Sequence, residues 1–535
     1  MDKSRDDYIA RQRLRLGTGQ VSRRGFVMSA LAAGIALPTA IGWADAARAQ
    51  APSKGGLLRL GLGSGSTTDT LDPATYEGPV NTVLAYLYGN NLVEVDSSGK
   101  LVPELASEWA SDDAATWVFK LRDGVEFHNG KTLTPEDVIA SINHHRGEDS
   151  KSAVGGLVSQ IKDIRADGKN VVFELSAPNA DFPYVLSDYH LIILPASDGA
   201  IDATGGVGSG GYVLETYEPG VRIHATRFAN YFKSDRAHFD AVELISIIDP
   251  TARQNAIMNG DVDAIDRVDP KTVSLLARVP TLDILERPST LHYTFPMRVD
   301  AAPFDNYDLR MAVKLAVKRQ ELVDKILLGH GVVGNDHPIS TANRYHAEIP
   351  QREFDPEQAA FHYKKSGHSG ALQLSASDAA FSGAVDAAQL IAASASETGI
   401  EIEVVREPND GYWSDVWNKK PWCVSYWSGR PTEDWMFSSG YTNDTEWNET
   451  AWRTGEAADR FNAIVVEARA ELDDAKRREL YAEAQRLLAD DGGALTPMFA
   501  NHISAVSKGI GHGDDIASNW ELDGAKAPER WWTAS

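Results

Sequence analysis

The sequence predicts a mixed α/β architecture (α+β in the irregular order of its elements) divided over two or three domains. Three observations lead there. Roughly 486 residues remain once an N-terminal segment is set aside, more than one hydrophobic core accommodates. Strand-like and helix-like stretches follow one another in no repeating order, which argues against a barrel of identical units. Residues 54–535 contain no low-complexity tract, no repeat of fixed period and no Pro/Ser linker. Large domains joined without a linker often exchange the chain more than once.

The N-terminal segment reads as an address. Ser22-Arg23-Arg24 is followed by Phe26, an apolar stretch to Trp43 and the small-x-small site Ala47-Arg48-Ala49. This is the plan of a secretory signal of the twin-arginine type over residues 1–49. A membrane anchor is the competing reading, and Ala49-Gln50-Ala51 offers a second cleavage site. The cleavage region has no cysteine, which excludes a lipid anchor there, and Cys423 is the single cysteine of the chain, so no intramolecular disulfide forms.

Charge narrows the partners. Residues 1–49 hold eight basic and four acidic residues, so their removal takes the formal charge from −24 to −28. Such an acidic chain is a poor partner for nucleic acid, whose binding is driven by a basic surface releasing phosphate counterions. An anionic membrane surface is disfavoured for the same reason.

Along the chain, residues 55–64 and 170–176 alternate as strands, and residues 115–130 read as strand, Asp-Gly turn, strand. Residues 134–146 open as a helix, with Thr134 as cap and Pro135 at the first helical position. A short helix starts near Pro250 and stops near Gly260, before a strand. Residues 305–329 carry a helical apolar spacing as one long helix ended by Gly329. Two helices follow near the C-terminus. In the second, Asp473–Arg477 and Asp474–Arg478 are expected as pairs on the wet face, with Leu480, Ala484, Leu487 and Leu488 facing the core.

Tests for chemistry give little. Gly206 to Gly211 fits G-x-G-x-x-G but is followed by a strand-like run, whereas a dinucleotide site needs a helix there. No Walker A, H-E-x-x-H or complete nucleophile elbow is present. His144 and His145 are neighbours on a helix and point apart, so they do not share a metal. His330 and His337 could meet across a loop but lack a supporting carboxylate cluster. No cofactor and no metal site is expected, and the balance moves from catalysis towards binding.

Several blocks, in order, then resemble one family. They are "TLDPA" (70–74), "LVPELASEW" (101–109), "VFKLRDGVEFHNGKTLTPEDVIASI" (118–142), "GSGGYVL" (208–214), "ARQNAIMNGDVDAID" (252–266), "PFDNYDLRMAVKLAVKRQELVDKILLGHG" (303–331) and "SYWSGRPTEDWMFSS" (425–439). The chain is identified by them as a member of the extracellular solute-binding proteins of ABC importers, the type that takes up peptides, nickel complexes and opines. The resemblance implies a two-lobed periplasmic binding protein fold of the large dipeptide/oligopeptide-binding type. Lobe one would be residues 54–292 plus 505–535 and lobe two residues 293–504, with crossings near 293 and 504. It further implies a periplasmic protein, expected to be a monomer, that takes a small zwitterionic or anionic solute to membrane permease and ATPase subunits. A metal-chelate carrier and a secreted hydrolase of a peptide-like substrate remain as alternatives.

The resemblance also implies where the ligand sits. Seven of the thirteen tryptophans lie between Trp413 and Trp452, and some are expected to line a pocket. In the 425–435 stretch, where peptide-binding members often hold the ligand's ammonium with an aspartate, this sequence departs from the pattern with Arg430-Pro431-Thr432; Arg430 is expected to clamp a carboxylate through two parallel hydrogen bonds, or else to pair with Asp434 and shape the loop. Tyr426 and Trp427 would give an apolar wall, with Thr432 and Asp434 as further ligand contacts, while Trp435 reads as core. Tyr76 and Glu77, after the "LDPA" turn, and Tyr293 and Arg298, at the proposed crossing, complete the set.

Overall fold

The alternating run Leu57–Leu62 buries Leu58, Leu60 and Leu62, and this strand forms the middle of the principal sheet. In this computed structural model, which describes residues 23–33, 35, 52–147, 150 and 152–534, the strand pairs in parallel with Ala241–Ser246 and Ala264–Ile265. Parallel neighbours require crossover connections, and the chain supplies them with residues 63–240 on one side and the helix Pro250–Asn259 on the other. That helix is capped by Asp249, whose side chain accepts from Ala252 N, and ends on Gly260 at φ 78°.

The sheet has nine strands and continues through Met498–Ser507 and Leu282–Thr294 to Ser425–Trp427. Leu282–Thr294 and Met498–Ser507 run antiparallel, from Leu282 opposite Ser507 to Tyr293 opposite Met498, with an irregularity between Pro288 and His292. At one end they meet the apolar cluster holding Leu282, Ile503 and Ala505. At the other they meet the cluster of Phe295, Trp422 and Met498. This strand pair therefore joins the two halves of the molecule. Residues 293 and 504, where crossings are expected, lie on it.

One half holds a core around Leu60, Tyr88 and Phe239 that also takes Val506 and Trp531 from the C-terminal end. Beside it, Phe119, Phe173 and Phe182 centre a second core around the four-stranded sheet of residues 106–175. The other half is built on the cluster of Phe295 and Trp422 and on one holding Phe437, Trp452, Phe461 and Tyr481.

Local structure follows the sequence closely at the caps. The helix Pro135–His144 has a capping box in which Thr134 and Asp137 satisfy each other's backbone. Three expectations are corrected. The second arm of residues 115–130 makes only the isolated bridge Glu126–Thr132, because Phe127 N turns back to Lys131 O (2.8 Å). Residues 305–329 form two helices, Tyr307–Leu315 and Arg319–Ile326. The break directs buried Arg319 onto Asp336 (2.8 and 2.9 Å), a paired buried charge that one continuous helix would have to place elsewhere. Arg477 is not on the wet face: it is buried and meets Asp181 from the other half of the molecule. Asp473 instead caps its helix, accepting from Lys476 N.

The signal expected over residues 1–49 lies largely outside the described residues; within it, Arg23–Ala32 is helical. Among the described residues no helix is long and apolar enough to cross a membrane.

Candidate functional site

A cleft of about 880 Å³ lies between the two halves, over the joining strands. Its size suits a ligand of a few amino acid residues' bulk. The joining strands supply its back, with Tyr293, Asn501 and His502. One wall carries Tyr189 and Trp520, packed edge to face at 5.5 Å. The facing wall carries Tyr426 and Phe381, the latter stacked on Tyr293 at 3.8 Å.

The polar floor comes from the turn after Ala264–Ile265. Arg267 sits there at φ 48°, a left-handed conformation costly for a residue with a Cβ and held only where the surroundings enforce it. Its guanidinium donates to Glu521 Oε2 (3.4 Å) and its side chain is 53 % exposed, so most of its donors are open to the cleft. Asp266, beside it, is fully buried. Its Oδ1 accepts from Gly63 N (2.8 Å) and lies 3.4 Å from Arg253, while Oδ2 has no hydrogen-bond partner.

Burial, and after it the Glu521 carboxylate, pushes Asp266 up to about 7. Burial raises Glu521 as well, and pushes His502 down to about 4, so that ring is neutral at pH 7. At the far end, His330 Nδ1 lies 3.0 Å from Glu286 Oε2, and Asn501 Nδ2 donates to Glu286 Oε1 (2.6 Å). The cleft thus offers one available guanidinium, carboxylates, amide and aromatic faces. Cys423 lies outside it, buried, with its thiol pushed up by burial.

The structure brings together Tyr293 and Tyr426 of the sequence-derived set and places the others differently. Tyr76 is core: its hydroxyl donates to Leu71 O and meets Tyr88 Oη, both at 2.9 Å. Glu77 is exposed at the start of the helix Gly78–Tyr88, beside the lining residues Gly78 and Pro79. Arg298 is engaged by Asp300 and Asn418, away from the cleft. Trp427 is buried and donates to Glu449 Oε1 (3.0 Å). Thr432 caps the helix Glu433–Gly440.

Arg430 and Asp434 do not pair. Asp434 is buried against Arg469 Nε (2.9 Å). Arg430 donates to Gly429 O (2.7 Å) and lies over the rings of Trp427 and Trp435, outside the cleft lining, with burial pulling its pKa down. Of the tryptophans between 413 and 452 none lines the cleft; Trp417 and Trp427 both donate to the buried Glu449 carboxylate (2.6 and 3.0 Å), which organises the cluster.

His330 lines the cleft whereas His337 is buried against His346, so these histidines do not meet. The glycine run 206–211 is a close-packing device: a Cβ at Gly208 would fall 2.1 Å from Tyr88 O. The carbonyl of Gly210 meets His128 Nε2 (2.9 Å), tying this run to the "FHNG" block. The acidic group Glu94, Glu104 and Glu529 is filled by Lys233 Nζ at 2.6–2.8 Å, which leaves it no vacancy for a metal.

Sequence reasoning missed Arg267, Glu521, Trp520 and Tyr189. Arg267 directly follows the block 252–266, whose last residue already lines the cleft. Trp520-Glu521 had no local signal, since only the return of the C-terminal segment brings it to the floor.

Comparison with known proteins sets this geometry in context. The profile of the bacterial extracellular solute-binding proteins, family 5 (middle region) matches residues 100–449. The glutathione-binding protein GsiB of Salmonella typhimurium is 25 % identical over 482 residues, covering 83 % of this chain and 90 % of that one. Among solved structures, AgaA of A. tumefaciens R10 in complex with agropinic acid superposes with a TM-score of 0.70 at 23 % identity, covering 90 % of this chain and 99 % of that one. The ABC transporter substrate-binding protein CtaP of Listeria monocytogenes gives a TM-score of 0.76 at 19 % identity, covering 90 % and 100 %. The architecture is therefore the large periplasmic binding protein fold.

Proposed function

Because this chain belongs to the bacterial extracellular solute-binding proteins of family 5, we propose that it captures a small zwitterionic or anionic solute in the cleft floored by Arg267 and hands it to the permease and ATPase subunits of an ABC importer. The observation that carries this reading is the Arg267 guanidinium, half exposed in a cleft walled by Tyr189, Trp520, Tyr293 and Tyr426. A planar guanidinium takes a carboxylate through two parallel hydrogen bonds, and the rings give the rest of the ligand an apolar bed. Peptides, opines and amino acid derivatives all fit that chemistry. The glutathione named for GsiB and the agropinic acid bound by AgaA are two such compounds.

Binding completes the task, so the chain turns nothing over. It acts as a monomer in the periplasm, after export directed by the twin-arginine signal of residues 1–49, with lobes 54–292 plus 505–535 and 293–504 closing on the solute. A metal-chelate ligand is the second reading, favoured by His330, which lines the cleft with Glu286 behind it.

A thermal-shift panel of dipeptides, γ-glutamyl peptides, opine-like imino acids and polycarboxylate chelates with and without nickel tests this. A ligand at a hundred times its dissociation constant adds about 2.7 kcal/mol. Carboxylate-bearing compounds are expected to raise the unfolding midpoint by a few degrees; a response confined to nickel chelates would favour the second reading, and no response to any member of the panel would overturn both.

A further inference from the structure

From the same cleft, and resting on the reading above, we infer that Asp266 and Glu521 form an ammonium subsite beside Arg267, so that the floor recognises the paired ammonium and carboxylate of an α-amino-acid head group. The floor is short of donors. Asp266 is fully buried, lines the cleft and spends Oδ1 on Gly63 N and Arg253, yet no hydrogen-bond donor among the described residues reaches Oδ2. Asn501, further along, has a buried Oδ1 that is also without a partner. Its orientation is fixed, because Nδ2 is the atom that donates to Glu286. A buried acceptor left unpaired is destabilising, and a ligand donor that reaches it relieves that.

Charge selects the kind of donor. Arg253 is committed to the Asp266 side chain and to the carbonyls of Ile247 and Ile248; among the described residues Glu521 has Arg267 at 3.4 Å and the neutral ring of His502 at 3.9 Å. When a ligand carboxylate draws on Arg267, Glu521 loses part of its closest charged partner. An ammonium on the same ligand restores it, whereas a second carboxylate would be repelled by Asp266 and Glu521. Neighbouring cation and anion sites match groups borne on one carbon. Trp520 and Tyr189, on the same wall, add ring faces that favour a cation over an anion. The floor therefore separates amino-acid-headed solutes from plain polycarboxylates.

The test uses matched probes on the processed protein: L-glutamate, glutathione and γ-glutamylalanine, each against its N-acetyl counterpart, by titration calorimetry. The free amines are expected to bind at least tenfold more tightly than their N-acetyl forms. In Glu521→Gln and Asp266→Asn, each checked for a native unfolding transition, that ratio is expected to fall below threefold while N-acetyl binding is retained. Glu521→Gln keeps the test decisive should Asp266→Asn fail to fold. Equal binding of amine and N-acetyl forms, or a ratio unchanged in Glu521→Gln, overturns the ammonium subsite and leaves the carboxylate reading standing. Absence of binding by every probe overturns both.

Discussion

Asp181 Oδ2 and Arg477 Nη2 lie 2.6 Å apart, each side chain 4 % exposed, at the seam where the two halves of the molecule meet away from the joining strands. Asp181 precedes Phe182 and Val185 of one core, and Arg477 stands on the helix Asp474–Asp490 that packs Tyr481 into the other. The contact is one of charge, since no N–H is aligned on Oδ2. Arg477 also donates to Ala468 O (3.1 Å) and to the Tyr345 hydroxyl (3.3 Å). Close by, Ala180 N donates to Arg469 O (2.7 Å). The halves thus also meet through side chains and backbone outside their joining strands.

Removing one partner of a buried pair leaves the other charge uncompensated, at about 3–5 kcal/mol. Asp181→Ala is expected to lose that much in urea unfolding. A loss under about 0.5 kcal/mol would show that the clasp contributes nothing.

The acids behind this seam predict a pH dependence. Burial is the largest cause pushing Glu433 up to about 7; Asp181 adds to it, while Tyr345 N and Arg477 oppose it. Asp434 is pushed up to about 6 by burial, against Arg469. Their unfolded values lie near 4, so between pH about 4 and 7 the folded state binds more protons. Stability from these groups is greatest below the unfolded values and is lost as pH rises through the folded ones. Glu433→Gln keeps an acceptor for Tyr345 N and removes the titration. Its unfolding free energy is expected to decline less than wild type's between pH 5 and 7.5; identical slopes would contradict the assignment.

The tryptophan cluster depends on one carboxylate. Glu449→Ala leaves the indole N–H groups of Trp417 and Trp427 without an acceptor, at about 1–3 kcal/mol each where no water enters. Glu449→Gln retains one acceptor oxygen and is expected to lose distinctly less in denaturant unfolding. Equal losses would mean that the cluster is held by packing alone.

The glycine run gives a fourth test. A Cβ at Gly210 would sit 2.4 Å from the carbonyl carbon of Tyr88 and 2.6 Å from Leu87 O, both backbone atoms with no room to rotate away. Gly210→Ala is expected to lose about 1–3 kcal/mol or more, read from the urea midpoint. An unchanged midpoint would remove the close-approach explanation.

Caps and alternating strands were legible because they are local. Thr134-Pro135 and Asp249-Pro250 carry their helix starts in adjacent residues, and Leu57–Leu62 shows its buried face in its spacing. The broken helix after Leu315 was not legible, because its cause is Asp336, seventeen residues beyond Arg319. Much of the cleft was illegible for the same reason on a larger scale. Arg267 meets Glu521 across 254 residues, and nothing near either residue announces the other. Tyr293 and Tyr426 were within reach because the strands that carry them are neighbours in the sheet. Arg430 misled because an arginine between indoles has the composition of a binding wall, and here it packs over Trp427 and Trp435 instead.

On the proposed reading the guanidinium at Arg267, and not the one at Arg430, takes the carboxylate of a solute that leaves unchanged. Titration calorimetry with the compound giving the largest thermal shift, on wild type, Arg267→Ala and Arg430→Ala, tests it most directly. The expected result is one unmodified ligand recovered per chain, a loss of about 2–4 kcal/mol for Arg267→Ala, and an affinity within about twofold of wild type for Arg430→Ala, whose side chain lies outside the cleft. Retained affinity in Arg267→Ala, or recovery of a cleaved ligand, would contradict it.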